Sequence, residues 1–170
     1  MKRFFLIIGI TLCVISGLCA QAEEVESDNG ITVYIYKKVF EQPTKDKLQL
    51  FSDINDFIYW FNTDCIKNNT KYNMLDIKYA NADSGKYRIE SKMYIRGGLG
   101  IPLGIEYTLT ILLKDGKYMC KIEIPEYTDG QKWNKLLRKN ALPQVEEGCE
   151  KITNLINSRM KEMHQFDEDF

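Results

Sequence analysis

The sequence has a single histidine, His164, and it lies close to the carboxyl end, where residues 167–170 are expected to be frayed. Catalytic triads, cysteine–histidine pairs and zinc sites all need an imidazole held rigidly beside its partners. A terminal histidine meets that requirement poorly. The sequence therefore predicts no catalytic, cofactor-binding or metal-ligating residues.

Charge of one sign is not in excess either, since the chain has 23 basic and 24 acidic side chains. Proteins that bind nucleic acid or anionic membranes carry strongly basic surfaces, because phosphate groups supply most of the affinity. We therefore expect no nucleic-acid partner.

Long apolar runs are scarce, and the one that stands out is residues 4–15. Lys2 and Arg3 precede it, and Ala20 and Ala22 follow it in an A-x-A arrangement, as in a secretory signal peptide. The run is too short for a spanning helix, which needs about 20 apolar residues. We predict a signal peptide over residues 1–22, cleaved after Ala22 or, as the second choice, after Ala20. The mature protein is then periplasmic or secreted, with no stable membrane insertion.

A lipidated cysteine is the alternative use of this leader, because Cys13 and Cys19 lie within it. Lipidation normally needs a small residue just before the cysteine, and Leu12 and Leu18 occupy those positions. The sequence therefore disfavours a lipoprotein.

Cysteine is also too sparse for a disulfide scaffold, since only Cys65, Cys120 and Cys149 follow the leader. Two interpretations remain open: small buried hydrophobic residues, or one bridge with a free thiol. A reactive cysteine is disfavoured because no histidine is in view as its partner.

What the sequence does contain is a run of alternating and helical patterns. Residues 23–30 are polar and acidic, which predicts a mobile tail before a single domain over residues 31–166. In residues 31–36 the apolar members Ile31, Val33 and Ile35 are predicted to face the core, with Tyr34 and Tyr36 facing outward. A helix capped by Ser52 or Asp53 follows, with apolar residues at helical spacing from 54 to 65.

Four further runs between residues 75 and 124 alternate as strands do. Leu75, Ile77 and Tyr79 are predicted to face inward, and the Asp115–Gly116 turn joins the last two runs as a hairpin. Residues 131–137 predict a helical turn or two, and Pro143 suits the first turn of a long final helix. The fold class predicted is α+β: a two-layer sandwich ordered strand, helix, four antiparallel strands, helix, with both helices on one sheet face.

Four short motifs between residues 48 and 127 carry a resemblance to a known family. They are Phe57-Ile-Tyr-Trp60-Phe61, Asp83-Ser-Gly85-Lys86, Tyr107-Thr-Leu109 and Lys114-Asp-Gly-Lys-Tyr118. With them the chain resembles the Bacteroidetes family called domain of unknown function 4468, described as having a TBP-like fold. Met119 departs from the basic residue that the family often has there, although Lys121 keeps a positive charge nearby. The resemblance implies the same order of elements, and it implies no activity.

Two further patterns invite a chemical interpretation and do not support one. The glycine-rich residues 97–104 precede a strand, whereas a phosphate-binding loop needs a helix after it, so we expect a hairpin loop. Asp76, Glu90, Glu106 and Glu123 each have a basic neighbour on the predicted outer face, which indicates cross-strand ion pairs. The basic neighbours are Lys78, Arg88, Lys92 and Lys121.

The outer sheet face is the strongest candidate for function. Tyrosine and arginine are enriched at binding interfaces, and the predicted interaction surface combines them with lysine. Its residues are Tyr34, Tyr36, Arg88, Lys92, Tyr94 and Arg96. The sequence thus favours an exported, non-catalytic module that binds a protein, peptide or glycan.

Two other functions stay open at this stage. The first is a carrier that holds an apolar small molecule between the sheet and the final helix, as in helix-grip folds, with methionines lining the cavity. An enzyme of unknown type is the third and weakest candidate. A void of a few hundred Å³ between sheet and helix is the mark that separates a carrier from a surface-binding module.

Overall fold

The computed structural model describes residues 20–26, 32–70, 73–96, 102–125, 127–128, 131–132 and 135–165 of the chain. Its elements follow in the order β1 (Ala20–Glu26), β2 (Thr32–Glu41), α1 (Lys47–Lys67), β3 (Asp76–Asn81), β4 (Lys86–Arg96), β5 (Pro102–Lys114), β6 (Lys117–Pro125), β7 (Tyr127–Thr128), β8 (Gln131–Lys132) and α2 (Lys135–Gln165). Six strands form one antiparallel sheet in the order β1-β2-β6-β5-β4-β3, and β7 and β8 form a separate two-stranded pair.

Both helices lie on the same face of this sheet, where α1 contacts β5, α2 contacts β2 and β4, and the helices contact each other. The predicted α+β class and its two-layer arrangement are therefore confirmed. Alternate residues of the central strands point at the helices and are fully buried, as Ile89, Leu109 and Ile122 are. Each such side chain contributes about 1.5–3 kcal/mol through burial, which holds the two layers together.

Helix α1 begins earlier than the predicted caps Ser52 and Asp53. Its N-cap is Asp46, which forms a capping box with Gln49. The Asp46 side chain accepts a hydrogen bond from the backbone N–H of Gln49 at 2.8 Å, and the Gln49 side chain accepts one from the Asp46 N–H at 2.9 Å. Two of the free N–H groups at the helix start are satisfied in this way.

Strand β2 has the opposite facing from the one predicted. Tyr34 and Tyr36 pair with Ile124 and Ile122 of β6 and are buried beneath α2, whereas Ile35 lies on the other face. Alternation defines two faces and does not say which is covered. On that other face Ile35 is itself only 8% exposed, whereas Val39 is 38% exposed. The larger tyrosine rings fill the space beneath α2.

The N-terminal boundary also differs from the prediction. The expected mobile tail is wrong for residues 23–26, which belong to β1 and pair with β2 from Ala20–Lys38 to Glu26–Thr32. Residues 27–31 and the predicted leader up to residue 19 lie outside the described residues. The acidic composition of this segment suits an edge strand, because charged side chains there discourage pairing with other chains.

Two further differences concern β3 and α2. The register shifts between Ile77, which pairs with the inward-facing Ile89, and Tyr79, which pairs with Arg88 of the opposite face. Both side chains lie on this edge strand and are 42% and 46% exposed. Helix α2 starts at Lys135, so Pro143 lies inside it and not in its first turn. The helical turn predicted over residues 131–137 is in part strand β8, followed by the start of α2. Residues 166–170, expected to be frayed, are outside the described ranges.

Candidate functional site

The sheet face opposite the two helices is the candidate site, and we call it the open face. Neither helix lies on it. Its residues come from alternate positions of four strands: Val33, Ile35, Lys37 and Val39 of β2; Met119, Lys121 and Glu123 of β6; Gly104, Glu106, Thr108, Thr110 and Leu112 of β5; and Arg88, Glu90, Lys92, Tyr94 and Arg96 of β4.

Four of the six residues of the predicted surface lie together on the open face: Arg88, Lys92, Tyr94 and Arg96, all on β4. Tyr34 and Tyr36 do not, because they face α2, and burial raises the pKa of both hydroxyl groups. The aromatic half of the predicted surface is thus reduced to Tyr94.

Tyr94 is held across a glycine of the neighbouring strand. It is paired with Gly104, and its ring atom Cε1 lies 3.3 Å from the position that a Cβ on Gly104 would take. A larger residue at 104 would displace the ring, so the glycine leaves the space in which the Tyr94 ring packs against β5. The ring remains 46% exposed and stands on a rigid strand. Such an aromatic group loses little conformational entropy on binding.

The carboxylates of the open face are paired with lysines, as the sequence indicates. Lys92 is 2.8 Å from Glu106, and Lys121 is 2.8 Å from Glu123. Lys78 lies 2.5 Å from Asp76 and 3.5 Å from Glu90, and its hydrogen bond to Asp76 raises the pKa of Lys78. Each exposed pair contributes only about 0–1 kcal/mol, so these contacts fix side-chain positions more than they stabilise the fold.

A cleft of about 400 Å³ opens among these ion pairs, beside the middle of β4 and β5 and near the start of β3 and the end of β6. Its lining is polar on one side, with Glu90, Lys92, Glu106 and Thr108, and includes Tyr107 and Pro125. In the described part of the chain no group of three or more acidic, cysteine or histidine residues is placed to hold a metal ion. The cleft offers hydrogen-bond donors and acceptors in fixed positions to a polar ligand.

An apolar row crosses the open face four positions along β5 from Thr108 of the cleft, and the sequence reasoning missed it. Val39, Met119 and Leu112 are cross-strand neighbours on β2, β6 and β5. Val39 is 38% exposed and Leu112 is 36% exposed. The available signal was Met119 itself, an apolar residue at an outward position of β6. With this row the open face combines an apolar strip and a charged, aromatic region.

Cys65, Cys120 and Cys149 are buried and free. Burial raises the pKa of Cys120 to about 12 and that of Cys149 to about 12. Thiols of this kind are protonated at neutral pH and react poorly, since the thiolate is the nucleophile. This agrees with the first of the two interpretations, small buried hydrophobic residues.

We expect Cys65, Cys120 and Cys149 to resist iodoacetamide at pH 8 in the folded protein and to react completely after denaturation without reductant. Intact mass of a chain that begins at Ala20 should then show three additions, one for each free thiol. A single addition under those conditions would mean that two of the thiols form a bridge.

Comparison with known proteins places the fold but no activity. No family model matches the sequence, and no curated protein matches it. The chain is similar in fold to a DUF4468 family protein. That crystal structure, from Bacteroides ovatus, superposes with a TM-score of 0.52 at 13% identity, over 78% of this chain and 90% of the other. The resemblance stated from the motifs is therefore confirmed at the level of the fold.

Two other solved structures superpose less well. One is a TBP-like protein from Parabacteroides distasonis, with a TM-score of 0.41 and 20% identity over 58% of this chain and 62% of the other. The second is CalU16 from Micromonospora echinospora, with a TM-score of 0.34 and 9% identity over 86% and 95%. Scores of this size do not establish a common fold.

Proposed function

We propose that this chain is an exported binding module that uses the open face to hold a protein, peptide or glycan outside the cytoplasm. The observation that carries the proposal is the open face itself. There a fixed, half-exposed Tyr94 stands close to the 400 Å³ cleft and on the same face as the apolar row. An aromatic group, apolar side chains and surrounding polar groups are the parts from which binding interfaces are built, and the open face carries all three.

Export is supported by the leader over residues 1–22, with its basic start, short apolar run and A-x-A site. No helix in the described ranges is long and apolar enough to cross a membrane.

The packing between sheet and α2 favours surface binding over the carrier function. The Met93 sulfur lies only 2.9 Å from where a Cβ on Gly148 would be, and Ile156 and Met160 are fully buried. Met93 and Met160, two of the candidates for lining a cavity, thus contribute to a closely packed interior. The cleft lies on the opposite side of the sheet.

The test uses a photoreactive amino acid at residue 94 or 112 of the protein expressed in its native host. The control places it at Tyr59, which is 77% exposed on α1 and therefore lies on the helix side. We expect the same adduct, identified by mass spectrometry as protein, peptide or glycan, from both open-face positions and none from residue 59.

Direct binding then checks the adduct. Arg88→Glu and Lys92→Glu should each weaken the affinity of the purified partner by about fivefold or more, the value of one lost ion pair with charge repulsion added. Lys67→Glu at the end of α1 makes the same charge change away from the face and should leave the affinity unchanged. Cross-linking that is equally strong from residue 59, or absent from 94 and 112, contradicts the proposal.

A further inference from the structure

Lys38 is a buried lysine whose amine is directed at the final helix. It lies on β2 opposite Cys120 of β6, on the sheet face that the helices cover, and its side chain is only 7% exposed. Its Nζ lies 5.5 Å from the centroid of the Phe40 ring, which is itself buried. A lysine in such surroundings needs polar partners close to its amine. Two partners come from α2.

Asn154 and Glu150 are these partners. They are one helical turn apart, so they lie on the same side of α2. Lys38 Nζ donates to Asn154 Oδ1 at 2.8 Å and lies 3.7 Å from Glu150 Oε1. Because the amide carbon Cγ of Asn154 is bonded to Oδ1 at about 1.2 Å, Nζ lies roughly 3–4 Å from that carbon. The fold thus brings together an amine, an amide carbon and a carboxylate.

These three groups are the ones needed to exchange one amide bond for another. The Glu150 carboxylate takes a proton from the Lys38 ammonium group, which leaves a neutral amine with a free electron pair. That pair attacks Asn154 Cγ to form a tetrahedral intermediate, and Glu150 passes the proton to Nδ2. The bond between Cγ and Nδ2 then breaks with its electron pair on nitrogen, while the Nζ–Cγ amide forms. The second Nζ proton leaves with the ammonia as ammonium, so Glu150 is regenerated and no oxidant or co-reactant is consumed.

The position of the three groups in the fold favours this reaction over attack by water. An amide is a weak electrophile in free solution, but a nucleophile fixed beside it reacts at an effective concentration of about 10⁵–10⁸ M. Lys38 is fixed in this way, because it lies in a paired strand and is buried. Asn154 is an exposed residue, so the released ammonia has a path to solvent. The Glu150 side chain is 60% exposed and can exchange protons with water between steps.

We propose that Lys38 and Asn154 become joined by an isopeptide bond, formed with release of ammonia and with Glu150 as the proton carrier. The bond ties β2 to α2 and links residues that are 116 positions apart. A link across so long a stretch restricts the unfolded chain, as a disulfide does, and unlike a disulfide it does not respond to reductants. It uses no residue of the open face, so its test is independent of the proposed binding function.

Intact mass of the chain that begins at Ala20, which keeps every described residue, measures the bond directly. We expect most molecules to be lighter than the sequence mass by one ammonia, about 17 Da. Trypsin does not cleave after a lysine whose amine is bonded, so digestion should yield one branched peptide that joins residues 38–45 to residues 152–159. Its fragment spectrum should place the loss of ammonia at the junction of Lys38 and Asn154.

Three variants assign the roles of the residues. Lys38→Met removes the nucleophile, so the variant should have its full sequence mass. Glu150→Gln keeps the size of the side chain and removes the proton acceptor, and we expect the linked fraction to fall by about tenfold or more. Glu147→Gln makes the same change at an α2 carboxylate that pairs with Lys151 at 2.6 Å, and should leave the linked fraction unchanged. Circular dichroism melts confirm that the compared proteins are folded.

An intact mass equal to the sequence mass, with the two peptides separate after digestion, would overturn the proposal. A loss of ammonia that persists in Lys38→Met would lie elsewhere in the chain and would overturn it as well. Full linkage in Glu150→Gln would overturn the assignment of Glu150 as the proton carrier. If Lys38→Met does not fold, the branched peptide of the unchanged chain still decides the outcome, because its fragments identify both bonded residues.

Discussion

Lys45→Met is expected to lower the free energy of unfolding by about 3 kcal/mol, since it breaks a buried charge pair. The Lys45 side chain is 2% exposed, and its Nζ lies 2.5 Å from Asp53 of α1 and donates to the carbonyl oxygen of Met160 of α2 at 2.9 Å. One ammonium group thus joins the segment before α1 to both helices. Without it, the Asp53 carboxylate, whose side chain is only 19% exposed, loses its partner.

Two controls separate this contribution from general effects of losing a lysine. Lys78→Met removes ion pairs with Asp76 and Glu90 at a side chain that is 43% exposed, and should leave the free energy of unfolding almost unchanged because water screens those pairs. The double variant Lys45→Met with Asp53→Leu should recover most of the loss, because no unpaired charge remains. Urea unfolding of the chain beginning at Ala20 measures all three. A loss for Lys45→Met no larger than that for Lys78→Met would contradict the assignment.

The sequence anticipates the layers of this fold better than the faces of its strands. Periodicity placed α1 and strands β4 to β6 with their inward residues, because Tyr87, Ile89, Leu109 and Ile122 alternate with strongly polar neighbours. β2 offers no such contrast, since tyrosines and isoleucines alternate and both are apolar enough to be covered. Which set lies under α2 depends on the pairing with β6, a long-range contact that no local pattern encodes.

The absence of long-range pairing from local patterns also explains why only four of the six residues of the predicted surface share one sheet face. Arg88, Lys92, Tyr94 and Arg96 share a face because they alternate on one strand, and local period alone settles that. The apolar row of Val39, Met119 and Leu112 draws on three strands, so it exists only once the register is known. Strand β1 was missed for a different reason. Its acidic residues gain order only from pairing with β2, as in Glu23 with Lys37.

Gly85→Ala is the second change for which we expect a large effect, about 3 kcal/mol of destabilisation. Gly85 has a φ of +58°, a left-handed conformation that costs a residue with a side chain about 1–2 kcal/mol. An added Cβ would also lie 2.6 Å from the carbonyl oxygen of Leu113, which is backbone and cannot rotate away. The Gly85 carbonyl accepts the Leu113 N–H at 2.7 Å, so relieving the clash strains this bond between the turn and β5. Overpacking of this kind adds about 1–3 kcal/mol.

Gly116→Ala is the matched control, because it shares the conformational cost without the clash. Gly116 has a φ of +76°, and its added Cβ would meet only the Cα of Pro43 at 3.7 Å, an ordinary contact. We therefore expect a loss of about 1–2 kcal/mol there, and the difference between the two variants measures the contact with Leu113. Equal losses in urea unfolding would mean that the turn after β3 moves freely relative to β5. The Asp-x-Gly-Lys motif at Asp83–Lys86 would then reflect backbone conformation alone.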